Sequence, residues 1–399
     1  MARRATPFSR ARGRRSAGAW ALAATLLLGA CGSNVTARAP VVQGAQPIPA
    51  PMQTAVPAQQ TVKAALLLPL SGSSAAIGQP MVDAAQIALF DMAAEHFELM
   101  PRDTKGTPQG AADAARKAIA DGASIILGPL YSGDVAAVRP VAQQAGVPVV
   151  SFTNDWTQAT SGVWVMGFIP ADQVVRVADY ARSRGVTRYG ALAPRGLYGD
   201  AVVNALQAAA QRQGAQVVQV ERYEPAVADF TAPVQKIAGA NAQAVLMAEG
   251  GQRIRSLAAT AAGNGLNPTQ VKFLGTGLWD DPAVAQEPAL AGAWFAAPDP
   301  NQRADFEARF QSLYGKKPTR LATLAYDATA LAAVLARPGG ERPYDPAVLT
   351  NPTGFAGIDG LFRLRTDGIA ERRLAVLEIT PQGARVIDPA PTNFDTLGQ

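Results

Sequence analysis

The chain has 399 residues but only one cysteine and one histidine. A lone thiol cannot close an internal disulfide, so no disulfide framework staples the fold. One histidine leaves no soft-ligand set for a transition metal. It also leaves no catalytic triad, because His96 falls late in a helical pattern rather than in a strand-end loop. No GxGxxG or P-loop signature follows an apolar strand, so no nucleotide cofactor is expected. Aromatics make up 7% of the residues and no basic stripe interleaves with them, which argues against nucleic-acid binding. The adjacent acids Asp280-Asp281 precede Pro282 and read as the start of a turn, not as an acid–base pair. No cofactor, metal or enzymatic activity is expected.

The positive charge is concentrated at the N-terminus. Six of the 36 Lys and Arg residues (Arg3, Arg4, Arg10, Arg12, Arg14 and Arg15) lie within residues 1–30, and no acid accompanies them. Without that segment 30 basic residues face 31 acidic ones, and the formal charge falls from +5 to −1. Residues 17–28 are small or apolar apart from Thr25. A basic region, a short apolar run and small residues describe a secretory signal peptide. The run is roughly a dozen residues, too short for a helix across a ~30 Å hydrocarbon core.

The one cysteine sits at the end of this run, in LLLGACGS (26–33). Leu28-Gly29-Ala30-Cys31 resembles the bacterial lipobox, which implies cleavage before Cys31 and lipidation of its thiol. Gly32, where an aspartate would resemble an inner-membrane retention signal, favours the outer membrane. Residues 31–60 are rich in Pro, Ala and Gln with no apolar period, as expected of a tether. At ~3 Å per residue it reaches up to roughly 90 Å.

From Val62 a strand–helix rhythm begins. VKAALLLPL (62–70), ASIILGPL (123–130) and VPVVSF (147–152) are apolar runs of the kind found in strands buried on both faces. Further strands are expected at 163–167, 189–193, 216–223, 244–248, 271–275 and 293–297. Helical periods fall near 81–92, 134–144, 171–184, 199–213, 230–239, 252–263, 302–314 and 320–336. Alternation of this kind predicts an α/β fold of parallel sheets flanked by helices. LFRLR (361–365), the DG at 367–368 and RRLAVLEIT (372–380) predict a closing β-hairpin.

Ligands in such folds sit beyond the carboxyl ends of the strands. Three consecutive strand ends carry loops dense in hydroxyls and small residues: Ser71-Gly72-Ser73-Ser74, Gly128 to Gly133 with Ser132, and Ser151 to Asp155 with Phe152 and Thr153. Hydroxyls and helix-start amides suit an anionic group such as a carboxylate. One such loop is more often a helix cap or turn, but three in succession point to a pocket.

The same residues carry a family resemblance. LLLPLSGSSAAIGQPMVDAAQIAL, ILGPLYSGDVAAVRPVAQQAGVPVVSFT, LYGDA (197–201), FLGTGLWDDP (273–282), AYDATALAAVL (325–335) and GIDGLFRLRTDG occur in order over about 62–385. The chain resembles the periplasmic leucine/isoleucine/valine-type binding proteins, with the type I periplasmic fold. The resemblance implies two α/β lobes joined by three crossings, with ligand held in the cleft. The lobes are expected at 61–168 plus 298–357 and at 169–297 plus 358–390, followed by a tail at 391–399. It implies that Ser132, Phe152 and Thr153 hold a ligand carboxylate and that Tyr198 faces the ligand from the other lobe. The ligand ammonium would be gripped by an aromatic and an acid. Here Glu249 supplies an acid without a tyrosine, and Gly277 stands where the second-loop acid belongs, with Asp280 nearby. Trp279 is equally suited to stacking on a ligand and to filling a core.

Two functions follow from the resemblance. One is the solute-binding component of an ABC importer, lipid-anchored in the periplasm and taking an amino acid or related small carboxylate. The other is an outer-membrane lipoprotein that activates a penicillin-binding protein. There the same fold serves as a protein-binding module toward a peptidoglycan synthase, as the lipobox, the tether and the incomplete ammonium grip suggest.

Overall fold

A computed structural model of the chain describes residues 61–93, 95–336 and 342–394. The expected signal peptide, Cys31, the tether and the last five residues lie outside the described residues. Among the described residues no helix is long and apolar enough to cross a membrane.

The first sheet is built from β1 (Val62–Leu68), β2 (Phe97–Asp103), β3 (Ala123–Leu127), β4 (Val149–Ser151) and β5 (Val163–Val165). It is parallel throughout, in the order β2-β1-β3-β4-β5. Helices α1 (Ala75–Met92), α2 (Pro108–Ala120) and α3 (Ser132–Ala145) connect the strands. β1 shows why its sequence is apolar throughout. Ala64, Leu66 and Leu68 enter the core on one face, and Ala65 and Leu67 enter the core on the other.

After α4 (Pro170–Ser183) the chain repeats the plan. It continues through β6 (Arg188–Pro194), α5 (Leu197–Arg212), β7 (Gln216–Tyr223), α6 (Thr231–Ala238), β8 (Ala244–Met247) and α7 (Gly251–Gly263). β9 (Lys272–Gly275), the short α8 (Pro282–Ala285) and β10 (Trp294–Ala297) follow. The parallel order β7-β6-β8-β9-β10 matches that of the first sheet. Each sheet therefore has a crevice at its strand ends where the winding direction reverses.

The chain then returns to the first lobe. Phe306 and Phe310 of α9 (Pro300–Tyr314) and Tyr326 of α10 (Ala322–Leu335) share a core with Ala84 and Ile87 of α1. Beyond the short α11 (Pro346–Leu349) lies a small antiparallel sheet of β11 (Phe355–Gly357), β12 (Gly360–Leu364) and β13 (Ala370–Arg372). β14 (Ala375–Thr380) and β15 (Gly383–Asp388) complete the second sheet as antiparallel strands beside β10. The chain thus passes between lobes three times, near residues 166–169, 298–299 and 373–374.

Three expectations change. Phe362, Leu364 and Ala370 pack with Trp164 and Met166 in the first lobe's core, so that lobe extends to about 372 rather than 357. The single hairpin expected over 361–380 is two hairpins. β12 pairs with β13 around the DG turn, and β14 pairs with β15 in the other lobe. His96 is a half-buried turn residue ahead of β2, not a helical one, and its carbonyl accepts the Val62 amide at 2.8 Å.

Candidate functional site

The strand ends of both lobes face a cavity of about 420 Å³. Ile77, Leu130, Tyr131, Phe152, Thr153 and Asn154 line it from the first lobe, with Phe168 at a crossing. Pro170, Gln173, Tyr198, Gly277, Leu278 and Asp280 face them from the second. Ala297 and Pro298 lie at another crossing, and Arg320 and Leu321 close the wall from the start of α10.

Three of the seven expected site residues meet there. Phe152 is nearly buried at the end of β4. Thr153 lines the cavity while its hydroxyl oxygen accepts the Asp155 amide at 3.1 Å. Tyr198 reaches in from the start of α5, its hydroxyl 2.9 Å from that of Thr276. Burial pushes the Tyr198 hydroxyl up to about 12, so it is neutral and serves as a hydrogen-bonding group.

The other four do not line the cavity. Ser71 is exposed and hydrogen-bonds Asp103, whose carboxylate also accepts the Leu70 and Lys105 amides at 2.9 and 2.7 Å. That serine organises the loop between β1 and α1. Ser132 donates to the Asp155 carboxylate at the N-terminus of α3, so its hydroxyl is engaged by an acid of the protein. Burial raises the Asp155 carboxyl, but the hydrogen bonds from Ser132 and from Thr157 outweigh it and hold the group below its ordinary value. Asp155 is therefore ionised at neutral pH.

Glu249 is buried and held by Arg253, with Oε1 and Oε2 at 3.0 and 3.1 Å from its guanidinium nitrogens. Trp279 is fully buried in the second lobe's core against Phe295, and its indole N–H donates to the Glu249 carbonyl at 2.9 Å. Gly275 makes room for it, since a Cβ there would lie 2.2 Å from the indole ring. Trp279 is a core residue, not a stacking platform.

Sequence reasoning did not reach Arg320 or Gln173, and it placed Asn154 in a pocket loop without giving it a role. The Arg320 guanidinium stacks 4.2 Å from the Phe168 ring centroid and pairs with Asp359 at 2.9 Å and Asp280 at 3.4 Å. Asp280 also binds Arg303 at 2.8 Å. Gln173 uses its carbonyl oxygen to accept the Gly277 amide at 2.8 Å. Asn154, next to Thr153, was the one position that a strand-end rule could have singled out.

A model of periplasmic binding proteins matches residues 61–384. The chain belongs to that family. A Leu/Ile/Val-binding protein homologue from Brucella melitensis is 26% identical over 231 residues, covering 53% of this chain and 63% of the relative. The Leu/Ile/Val-binding protein BraC3 of Rhizobium johnstonii is 27% identical over 232 residues, with 53% and 63% covered. An uncharacterized protein of Rickettsia prowazekii is 25% identical over 166 residues, 42% of this chain and 44% of that one. The chain spans less than two thirds of the length of these curated relatives.

Solved structures agree on the fold. A Brucella ovis protein named for binding leucine, isoleucine, valine, threonine and alanine superposes with a TM-score of 0.67 at 22% identity, covering 84% of this chain and 93% of that one. A Streptococcus pneumoniae substrate-binding protein in complex with isoleucine gives 0.60 at 19%, covering 83% and 100%. A solute-binding protein from R. palustris in complex with benzoate gives 0.61 at 18%, covering 84% and 97%. These likenesses are of the type I periplasmic binding fold.

Proposed function

We propose that this protein is a periplasmic solute receptor, not an enzyme, that captures a small molecule between its lobes and presents the closed form to a membrane importer. The observation that carries this reading is the cavity of about 420 Å³ at the strand ends, walled by side chains of both lobes and by two of the crossings. That volume is within the range usual for small-molecule sites. The relatives named above supply the chemistry at the level of class: amino acids in some, an aromatic acid in another. The peptidoglycan synthase reading draws no support from them.

The receptor reading extends to attachment. Cys31 would carry the lipid, and residues 32–60 would let the domain range from the membrane. A Cys31→Ala variant recovered in the soluble periplasmic fraction supports the anchor, and one that stays with membranes removes it.

Thermal shift against a broad solute panel tests the receptor. A ligand at 100 times its Kd adds about 2.7 kcal/mol by mass action, a rise of several degrees. Small-angle scattering should show contraction with the same solute. A panel without response, extended to a mixed metabolite extract, overturns the reading.

A further inference from the structure

We propose that the cleft takes a small uncharged molecule, with an apolar body and a hydrogen-bonding head such as an amide or alcohol, and excludes carboxylates. This rests on the receptor reading above and sets its ligand class.

The electrostatics of the walls carry the argument. Among the described residues only two charged side chains line the cavity, Asp280 and Arg320, and they pair with one another. Arg303 takes up the remaining charge of Asp280, and Asp359 that of Arg320. Glu249, which could have met a ligand ammonium, is held by Arg253 outside the lining. Among the described lining residues neither a ligand cation nor a ligand anion finds an uncommitted counter-ion.

The wall where a carboxylate was expected is worse than neutral. Ser132 donates to Asp155, an ionised acid with no basic partner among the described residues. The Asp155 amide donates to the hydroxyl oxygen of Thr153, a residue that lines the cavity. A ligand carboxylate against Thr153 would lose the serine and meet a like charge nearby.

The groups left to recognise a ligand are neutral. Asn154, Gln173 and Tyr131 line the cavity, and among the described residues the Asn154 amide, the Gln173 Nε2 and the Tyr131 hydroxyl make no side-chain hydrogen bond. Around them Ile77, Leu130, Phe152, Phe168, Leu278 and Leu321 offer apolar contact. Gln173 is buried, and a buried hydrogen-bonding group rejects a ligand that leaves it unpaired, so this neutral amide sets the head and the apolar walls set the body.

The test is calorimetry and thermal shift on the mature protein with matched pairs: benzamide and benzoate, 4-methylpentanamide and 4-methylpentanoate, and leucine. The uncharged member is expected to bind at least about tenfold tighter than its carboxylate, the scale of one like-charge contact in a partly solvated site. Asp155→Asn keeps an oxygen for Ser132 and removes the charge. It should narrow that ratio by improving the carboxylate alone, whereas a purely structural role for Asp155 would weaken both members together. Leucine or either carboxylate binding as tightly as its neutral partner overturns the inference and leaves the receptor reading intact. Should no pair bind, a metabolite extract is split by anion exchange. Stabilisation by the unretained fraction supports the inference, and stabilisation by the retained fraction overturns it. Silence from both fractions overturns the receptor reading as well.

Discussion

Asp280 and Arg303 stand on opposite lobes, and their charged groups meet at 2.8 Å with both side chains about nine-tenths buried. Asp280 follows β9 in the second lobe, and Arg303 belongs to α9 in the first. Burial pulls the Arg303 guanidinium down, but Asp280, Glu307 and Asp359 outweigh it and keep the charge in place. The pair spans the cleft beside the cavity and holds the lobes together there. Removing one partner of a buried pair costs about 3–5 kcal/mol. Arg303 keeps Glu307 at 2.7 Å, so Asp280→Asn should fall at the low end, about 3 kcal/mol in denaturant unfolding. Small-angle scattering should also report a larger radius of gyration without ligand. An unchanged radius would show that the pair does not govern the lobe angle.

Trp279 separates a core role from a ligand role. Its ring is fully buried, and its N–H is spent on the Glu249 carbonyl. Trp279→Ala should cost about 3–5 kcal/mol, as large aromatic truncations in cores do. Gly275→Ala should destabilise for the same reason, because the new methyl would drive the ring from its place. A stacking tryptophan would behave otherwise, lowering ligand affinity with Tm unchanged.

These two residues also show what could be read from the chain. β1 and β3 were visible because both faces are buried, which makes the run continuously apolar. β2 was invisible because it is an edge strand. Only Phe97 and Met100 are buried in it, and Pro101 interrupts it. α2 buries Ala111, Ala114, Ala115 and Ala118, small side chains that give little apolar contrast along the sequence. At the site, Phe152 and Thr153 were legible as strand-end residues, and Tyr198 through the family resemblance. The Ser132–Asp155 bond was not, since it joins two loops 23 residues apart. Arg320 reaches the cavity only because α10 folds back on the first lobe, which no local pattern announces.

Leu278 is half exposed on the lip of the cavity, 49% accessible, and it carries little of the core. Leu278→Ala should therefore leave unfolding stability within about 0.5 kcal/mol of the wild type. Once a solute is known, the same change should weaken binding about tenfold, the worth of roughly two buried methylenes. Calorimetry and thermal melts on one sample separate the two effects. Equal losses in stability and affinity would make Leu278 a packing residue.

Asp172 sets a pH dependence at the back of the crossings. Its carboxyl, on α4, lies in a second cavity of about 320 Å³ with Asp179 and Arg176 of the same helix. Arg363, Arg365, Glu371 and Arg372 face it from the first lobe, with Arg373 at the crossing. Burial first, then repulsion from Glu371 and Asp367, raises the group to about 7, with Arg365 pulling the other way. The unfolded chain releases this proton near pH 3.8, so between about 3.8 and 7 the folded state holds the extra proton. Stability from this group is full below pH 3.8 and is lost as pH rises toward and through 7. Asp172→Asn removes the titration. The variant should melt a few degrees above the wild type at pH 8, and the gap should close by about pH 4 as Asp172 becomes protonated in the folded and unfolded states alike. Parallel melting curves for variant and wild type across that range would mean that Asp172 stays ionised in the folded protein, with Arg365 compensating its charge.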